Sequence, residues 1–477
     1  MSKTVQRPMT KVHFACVLIA LIVLSGCAVW KPVATNTSPA TTDAPSTPAT
    51  TAVAATTALA KLSFQRSWHA QEVDGSGKNT SGTEIMRILP YKGKLYASNS
   101  QWMETSPGRP CQLLALDSPD GTWRLEHEFA LNNLRLVCLQ VVTFTTNASG
   151  NTIEPVTMLL AAPDVIIGDA QVFSLDDSSG KWVPMSLGMV ATYTTTRAIG
   201  SHRDSVTGID LVFAGNDTLG TLTGAYDPSA HGRIAWQKTR ELTVPSGERV
   251  MGFTNCNGLL YCATTRHIFV RTDGPSPSWQ EVYFCPQETW MVGIRGLTAV
   301  PNPSGNGQVL LFAALNSVRR INPADGYQET VELDMKFFLG TLWNTTIPYV
   351  LCAYNDFLAY TVPDTGEKVW LFGFESMYSP LEVQKNPQWR TFKIDFLGHY
   401  YAAEGRYFIR HATEKGIAFE VAEVADPGLP TLVAVRTIAV SPFPADQGRV
   451  LYFGGFDCNS QPSHNTGWIY RGALTGN

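Results

Sequence analysis

From about Glu84 onward the chain alternates short apolar runs with turns rich in Gly, Pro and Asn, and seven of the runs share one form. They read KLYAS from Lys94, TMLLAA from Thr157, LVFAG from Leu211, LLYCA from Leu259, VLLFAA from Val309, VWLFGF from Val369 and VLYFGG from Val450. Each is apolar and ends in small residues, and they recur roughly every 50 to 80 residues. An apolar strand and a turn precede each one, as in LTAVPNPSGNGQVLLFAAL from Leu297. A third strand follows, such as LLALD from Leu113 or WIYRG from Trp468, and then a tip before an aromatic-led fourth. The fourth strands open at Trp123, Trp182, Trp236, Trp279, around Tyr327 and at Phe419. After Trp468 the sequence reaches Asn477 with no room for another, whereas FQRSWHAQEV from Phe64 has no partners before it. That segment supplies the missing outermost strand and removes the bare edge. The pattern predicts an all-β, seven-bladed β-propeller closed by an N-terminal strand. Six or eight blades are the alternatives, since 376–398 has room for extra strands.

Ahead of this region lie Lys3, Arg7 and Lys11, an apolar run from Phe14 to Leu24, and Leu24-Ser25-Gly26-Cys27. Charge, apolar run and small-residue cleavage site in that order describe an export signal. The last four residues closely resemble the lipobox of bacterial lipoproteins, which implies a diacylglyceryl group on the Cys27 sulfur, palmitate-type chains and membrane anchoring. Two or more acyl chains hold a protein on a membrane stably. The alternative is an uncleaved signal anchor, since Phe14 to Trp30 is just long enough to cross a bilayer. Residues 31 to 60 collapse to Thr, Ala, Pro and Ser and cannot bury enough surface to order themselves. The expected organisation is a signal peptide over 1–26, a disordered tether over 27–60 and the propeller over 61–477. Either reading puts the folded part outside the cytoplasm, in the periplasm or at the cell surface. Ala28 lacks the Asp associated with inner-membrane retention, which favours the outer membrane.

The net charge is -4, with 16% charged and 44% hydrophobic residues. No overall positive field holds phosphate, so nucleic acid is not an expected partner. The nine cysteines show no framework spacing, and most read as buried small apolar residues. No metal-ligand cluster, serine elbow or phosphate-binding Gly loop is present, and no cofactor is implied. The tips DSPDGTW from Asp117 and DDSSGKW from Asp176 resemble degraded Asp-boxes of sialidase-type propellers. Their spacing departs from that motif, and they read as structural turns.

Candidate chemistry lies on one face. Six first strands begin with Arg: Arg87, Arg135, Arg197, Arg249, Arg295 and Arg436. First strands line a propeller's channel, so these guanidiniums would gather at its mouth and suit carboxylate or phosphate. The alternative is that each pairs with an acid of a neighbouring blade. The longest loops of that face carry Trp102, Glu104 and Arg109; Tyr378, Glu382, Trp389 and Arg390; and Asp457, His464 and Asn465. Aromatics beside polar groups suit sugars, and His464 with Asp457 is a weak candidate acid/base pair. Three functions follow. The first is binding of an anionic or glycan-like ligand, or of an envelope partner. The second is an enzyme on acidic polysaccharide, a lyase or hydrolase. The third is a scaffold that grips other envelope proteins and resembles the propeller lipoproteins of outer-membrane biogenesis.

Overall fold

The computed structural model describes residues 52–53, 57–101, 109–217, 219–286, 293–344, 349–385, 391–394, 399–402, 405–414, 416–424, 432–457 and 465–475. All of these belong to one compact unit, Ala49–Asn477. Cys27 lies outside the described residues.

Strand β1 (Ala52–Val53) and β2 (Ser63–His69) come first in the chain but pair with its far end. Strands β3 (Glu84–Tyr91), β4 (Lys94–Ser100), β5 (Gln112–Leu116) and β6 (Arg124–Glu128) form an antiparallel meander. Next, β7 (Asn133–Thr146), β8 (Thr152–Asp176), β9 (Lys181–Arg203), β10 (Asp210–Asn216), β11 (Gly220–Tyr226) and β12 (Ile234–Trp236) share one six-stranded sheet. Two further meanders follow: β13 (Val250–Cys256), β14 (Leu259–Thr264), β15 (His267–Thr272) and β16 (Ser278–Phe284), then β17 (Arg295–Pro301), β18 (Gln308–Ala314), β19 (Ser317–Asn322) and β20 (Gln328–Asp334). Helix α1 (Met335–Trp343) leads into β21 (Tyr349–Cys352), β22 (Leu358–Thr361) and β23 (Lys368–Tyr378). Helix α2 (Pro380–Lys385) and the hairpin β24 (Thr391–Ile394) and β25 (His399–Ala402) precede β26 (Arg406–Thr413) and β27 (Gly416–Glu423). The last sheet holds β28 (Leu432–Val440), β29 (Val450–Asp457) and β30 (Gly467–Ala473), with β2 on the outside of β30.

The closing strand pairs as the sequence leads one to expect. Trp68 lies opposite Ile469 and His69 opposite Trp468. The Trp68 side chain is 1% exposed and its indole Nε1 donates to Thr80 Oγ1 at 2.9 Å. β1 adds in parallel to the edge of β27, and the Thr57 backbone N–H donates to Glu420 Oε1 at 2.8 Å. Both contacts fasten the start of the folded unit.

The cores lie between successive sheets rather than within them. One joins Leu113 and Ala115 to Leu139 and Leu159, and another joins Tyr261 and Ile268 to Leu297 and Leu310. A third joins Leu371 and Ile409 to Val435 and Leu451. The last brings Ile85, Ile88 and Leu95 of the first meander against Tyr452 and Ile469 of the final sheet, and so closes the circle. The small residues that end the second strands have their reason here. A Cβ on Gly215 would collide with Val250 of the next inner strand, and one on Gly373 with the Val435 carbonyl. A Cβ on Gly454 would stand 2.6 Å from Ile85 Cγ2, across the closure. Facing sheets approach so closely at these points that only hydrogen fits.

Three details depart from the expectation. TMLLAA and the third strand VFSLD from Val172 lie on one extended run, β8, because PDVIIGDAQ between them stays extended through Pro163 and carries the β-branched Val165, Ile166 and Ile167. Residues 164–169 pair with 190–195 of β9 and merge two meanders into one sheet. The segment 376–398 does hold an extra strand, β24, but it and the β25 that follows extend the β23 sheet instead of forming a separate one. Finally, Trp236 ends β12 rather than opening it. The two Asp-box-like tips are turns: Asp117 accepts from Arg124 Nε at 2.8 Å, and Asp176 accepts from Ser178 Oγ at 2.7 Å.

Candidate functional site

The inner strands share one irregularity, and it falls at the arginines. In β3 the pairing jumps from Ile85 to Ile88, skipping Arg87, and in β7 from Asn133 to Leu136, skipping Arg135. The β9–β10 ladder passes from Ala198 to Thr196 around Arg197, and the β28–β29 ladder from Val435 to Thr437 around Arg436. Arg295 is the last paired residue before a jump to Thr298, and Arg249 directly precedes β13. A bulge leaves its extra residue unpaired and re-aims the side chain. At Arg135, Arg197 and Arg436 it turns the side chains toward one region, which Arg249 and Arg295 share.

The remaining inner strand is broken in two, with β21 and β22 pairing separate halves of β23. Residues 353–357 stand in the break and reach across to other sheets. Asn355 Nδ2 donates to the Met86 carbonyl at 2.6 Å and to the Arg436 carbonyl at 3.1 Å. The neighbouring Asp356 accepts from Arg87 Nη1 at 2.8 Å. Between Ala353 and Asn355, half-buried, is Tyr354.

Tyr354 is the focus of the cluster. The guanidinium carbon of Arg436 lies 4.3 Å from its ring centre and that of Arg295 5.7 Å, within cation–π range. Arg135 hydrogen-bonds it, and the charges of Arg197 and Arg249 act on it. Burial by itself would raise the phenol, but Arg135, Arg197, Arg436 and Arg295 overcome that and bring it down to about 7. Burial and the repulsion of Arg197, Arg249 and Arg436 lower Arg295 to about 10. Arg249 is lowered in the same way, by burial and by Arg197.

Carboxylates of neighbouring sheets answer much of this charge. Arg135 Nε donates to Glu84 Oε1 at 2.8 Å, and Arg436 Nη1 donates to Glu375 Oε1 at 3.0 Å with Glu84 Oε2 3.5 Å from its Nε. Arg197 Nε donates to Asp217, whose other oxygen is 3.8 Å from Arg249. Asp164 accepts from the Arg135 backbone N–H at 2.6 Å. Burial raises Glu375 and Asp164 even against these arginines. Among the described residues, five guanidiniums around Tyr354 thus meet four carboxylates: Glu84, Glu375, Asp217 and Asp164. Both sequence alternatives hold in part, since the arginines converge and most also pair with neighbouring acids.

The described loop residues include Arg109, Asp457 and Asn465. Arg109 is exposed and bonds Ser81 Oγ. Asn465 is buried, its backbone bridges to Gly82, and its amide has no hydrogen-bond partner among the described residues. Trp102 and His464 lie outside the described residues. Asp457, the expected partner of His464, accepts from His69 Nε2 at 2.9 Å, across the strand that holds Gly467. Burial lowers the His69 imidazole, but the hydrogen bond and charge of Asp457 outweigh it and raise the group overall. That pair fastens β2 to the last sheet. Among the described residues no group of three or more His, Cys, Asp or Glu could hold a metal. Cys111, Cys138, Cys256, Cys262 and Cys285 are buried free thiols.

No protein-family model matches the chain, and no curated protein matches its sequence. Solved structures resemble it at low similarity. An α-L-arabinofuranosidase of Fusarium graminearum in complex with arabinobiose is 11% identical over 86% of this chain and 98% of that one, with a TM-score of 0.38. An α-L-arabinanase of Penicillium chrysogenum, also with arabinobiose, is 12% identical over 87% and 98%, with a TM-score of 0.35. A putative exo-β-1,3-galactanase of Bifidobacterium bifidum is 15% identical over 56% and 92%, with a TM-score of 0.26.

Proposed function

We propose that the chain is a seven-bladed propeller that binds a carboxylate-bearing carbohydrate at the centre of its ring, and that a lipid on Cys27 holds it on the outer side of a bacterial envelope membrane. The count of seven takes the β7–β12 sheet as two blades merged through the 164–169 and 190–195 ladder. The anchor reading rests on Leu24 to Cys27 and on the Thr/Ala/Pro/Ser stretch that follows. One observation carries the ligand reading: Arg135, Arg197 and Arg436, each at a bulge of a separate inner strand, gather with Arg295 and Arg249 around Tyr354, in a cluster where five guanidiniums meet four carboxylates. The planar forks of these guanidiniums match a carboxylate in shape as well as sign.

Calorimetric titration of the full chain with uronic-acid oligosaccharides, alongside the same oligosaccharides with carboxyl groups reduced to alcohols, tests this. A charge-assisted hydrogen bond is worth about 1.5–3 kcal/mol. The acidic ligands are therefore expected to bind about tenfold to a hundredfold more tightly than the reduced ones, and Arg295→Ala is expected to remove most of the difference. Equal affinity for acidic and reduced forms would refute the reading.

A further inference from the structure

The centre contains a group that simple anion binding leaves unexplained. Tyr354 occupies the break in the one inner strand that lacks an arginine, and its hydroxyl accepts from Arg135 while Arg436 and Arg295 lie against its ring. The acids around it are engaged: Glu84 with Arg135 and Arg436, Glu375 with Arg436, Asp217 with Arg197 and Arg249. A phenol is different, since it both accepts and gives a proton. Set among guanidiniums, it has its phenolate stabilised in place.

A uronate residue bound by those guanidiniums would bring its carboxylate, and the C5–H beside it, to the same spot. Neutralising the carboxylate makes that proton removable, because the charge that develops on C5 spreads into the carboxyl group. The result is a task for a base whose proton affinity is tuned to neutral pH.

Building on the binding reading above, we propose that Tyr354 is the catalytic base and acid of a β-elimination that cleaves uronate-containing polysaccharides. The Tyr354 phenolate takes the C5 proton, and the C5–H electron pair forms the C4=C5 double bond. The C4–O glycosidic bond breaks, and its pair leaves on the departing oxygen. The phenol returns its proton to that oxygen, which restores the phenolate. One phenol oxygen serves both transfers where C5–H and the C4 oxygen lie on the same side of the sugar ring. The products are a chain that ends in a free anomeric C1 hydroxyl and a chain whose non-reducing end is a 4,5-unsaturated uronate, and no water or other reactant is consumed. Arg135, Arg295 and Arg436 bind the carboxylate and hold the phenol's charge.

The test uses the purified full chain with polymannuronate alginate and glucuronate-containing glycosaminoglycan as probes, in both of which C5–H and the C4 oxygen lie on the same side of the ring. The readouts are binding by calorimetry and formation of the conjugated double bond by ultraviolet absorbance. The expected result is double-bond formation from a polymer that binds, with kcat/KM rising with pH to a plateau above about 7 as the phenol of the free protein ionises. Tyr354→Phe, which keeps the ring, is expected to hold KM within about threefold while kcat falls about a hundredfold or more. A polymer that binds but yields no unsaturated product overturns the inference and leaves the binding reading standing. So does cleavage that yields only saturated ends, or an undiminished rate in Tyr354→Phe. Should Tyr354→Phe unfold, the wild-type pH profile decides, and a rate flat from about pH 6 to 9 overturns it. Failure of every uronate polymer to bind removes the binding reading and this inference with it.

Discussion

The Tyr354 phenol can be detected without any ligand, through its effect on stability. Its proton leaves at about 7 in the folded protein, against the ordinary 10 of an unfolded tyrosine. The three-unit difference corresponds to about 4 kcal/mol of preference for the phenolate, at 1.36 kcal/mol per unit. Between these two values the unfolded chain holds the proton and the folded one does not, so stability from this group rises with pH. The contribution is complete above pH 10, shrinks as pH falls, and is gone below about 7. Urea midpoints of the wild type and Tyr354→Phe at about pH 6, 7.5 and 9 measure it. The stability gap between the two is expected to widen by about 1.4 kcal/mol per pH unit above 7 and to reach about 2 to 3 kcal/mol more at pH 9 than at pH 6. Burial pushes Tyr91, Tyr96, Tyr261 and Tyr360 upward, and their effects cancel between the two proteins. They also leave the neutral range clear, so tyrosinate absorbance should show a single step near pH 7 that Tyr354→Phe removes. A gap that stays constant from pH 6 to 9, with no neutral step, would refute the picture of a phenol governed by surrounding guanidiniums.

Three other outcomes follow from the same structure. Trp68→Ala removes the buried anchor of the closing strand and should cost about 3–5 kcal/mol in urea unfolding; a loss below about 1 kcal/mol would mean the ring does not depend on β2. Glu332→Ala takes away the acid that accepts from Arg410 Nε at 2.6 Å and from Arg320 Nη1 at 2.9 Å. With the Arg410 side chain only 1% exposed, the loss should be about 3–5 kcal/mol, read from the same unfolding curves. His69 is raised by Asp457, so its stabilising charge is fully present below the unfolded value of 6.5 and fades as pH climbs through the higher folded value. His69→Ala should therefore be more damaging near pH 5.5 than near pH 8.5, and the opposite order in thermal melts would contradict the pairing.

What was legible in the sequence is what every sheet must repeat. Second strands end in Gly, Ala or Ser because the next inner strand presses against them, as Val250 does on Gly215 and Ile85 on Gly454. The closing strand was legible because the repeat came out one strand short. The arginines recurred at one place on the inner strands, and the bulges gave that recurrence a common target. Tyr354 was hidden for the opposite reason: it lies where the pattern fails, in a strand split by 353–357. In the sequence, AYNDF carries no local sign that Asn355 will bond Met86 and Arg436. Partners were equally out of reach, since Arg87 finds Asp356 269 residues on and His69 finds Asp457 388 residues on.

The central charges are poorly explained as a stabilising device. Burying ion pairs costs desolvation that their attraction roughly offsets, and well-packed apolar side chains in the same space would serve as well or better. The chain has such residues at hand: Ile85, Leu136, Val250 and Val435 sit beside the arginines on the same inner strands and are buried in the cores between sheets. Turning Arg87, Arg135, Arg197 and Arg436 inward also takes a bulge in each strand, with ladder pairing lost at each one. Like charges are thus gathered at a cost in both backbone pairing and repulsion, with Arg295 and Arg249 pushed toward losing their protons. A negative group arriving at Tyr354 relieves that repulsion at once. The repulsion gathered there is then available to the binding of an anion, and the phenol, whose proton leaves near neutral pH, is the group on which the proposed chemistry draws.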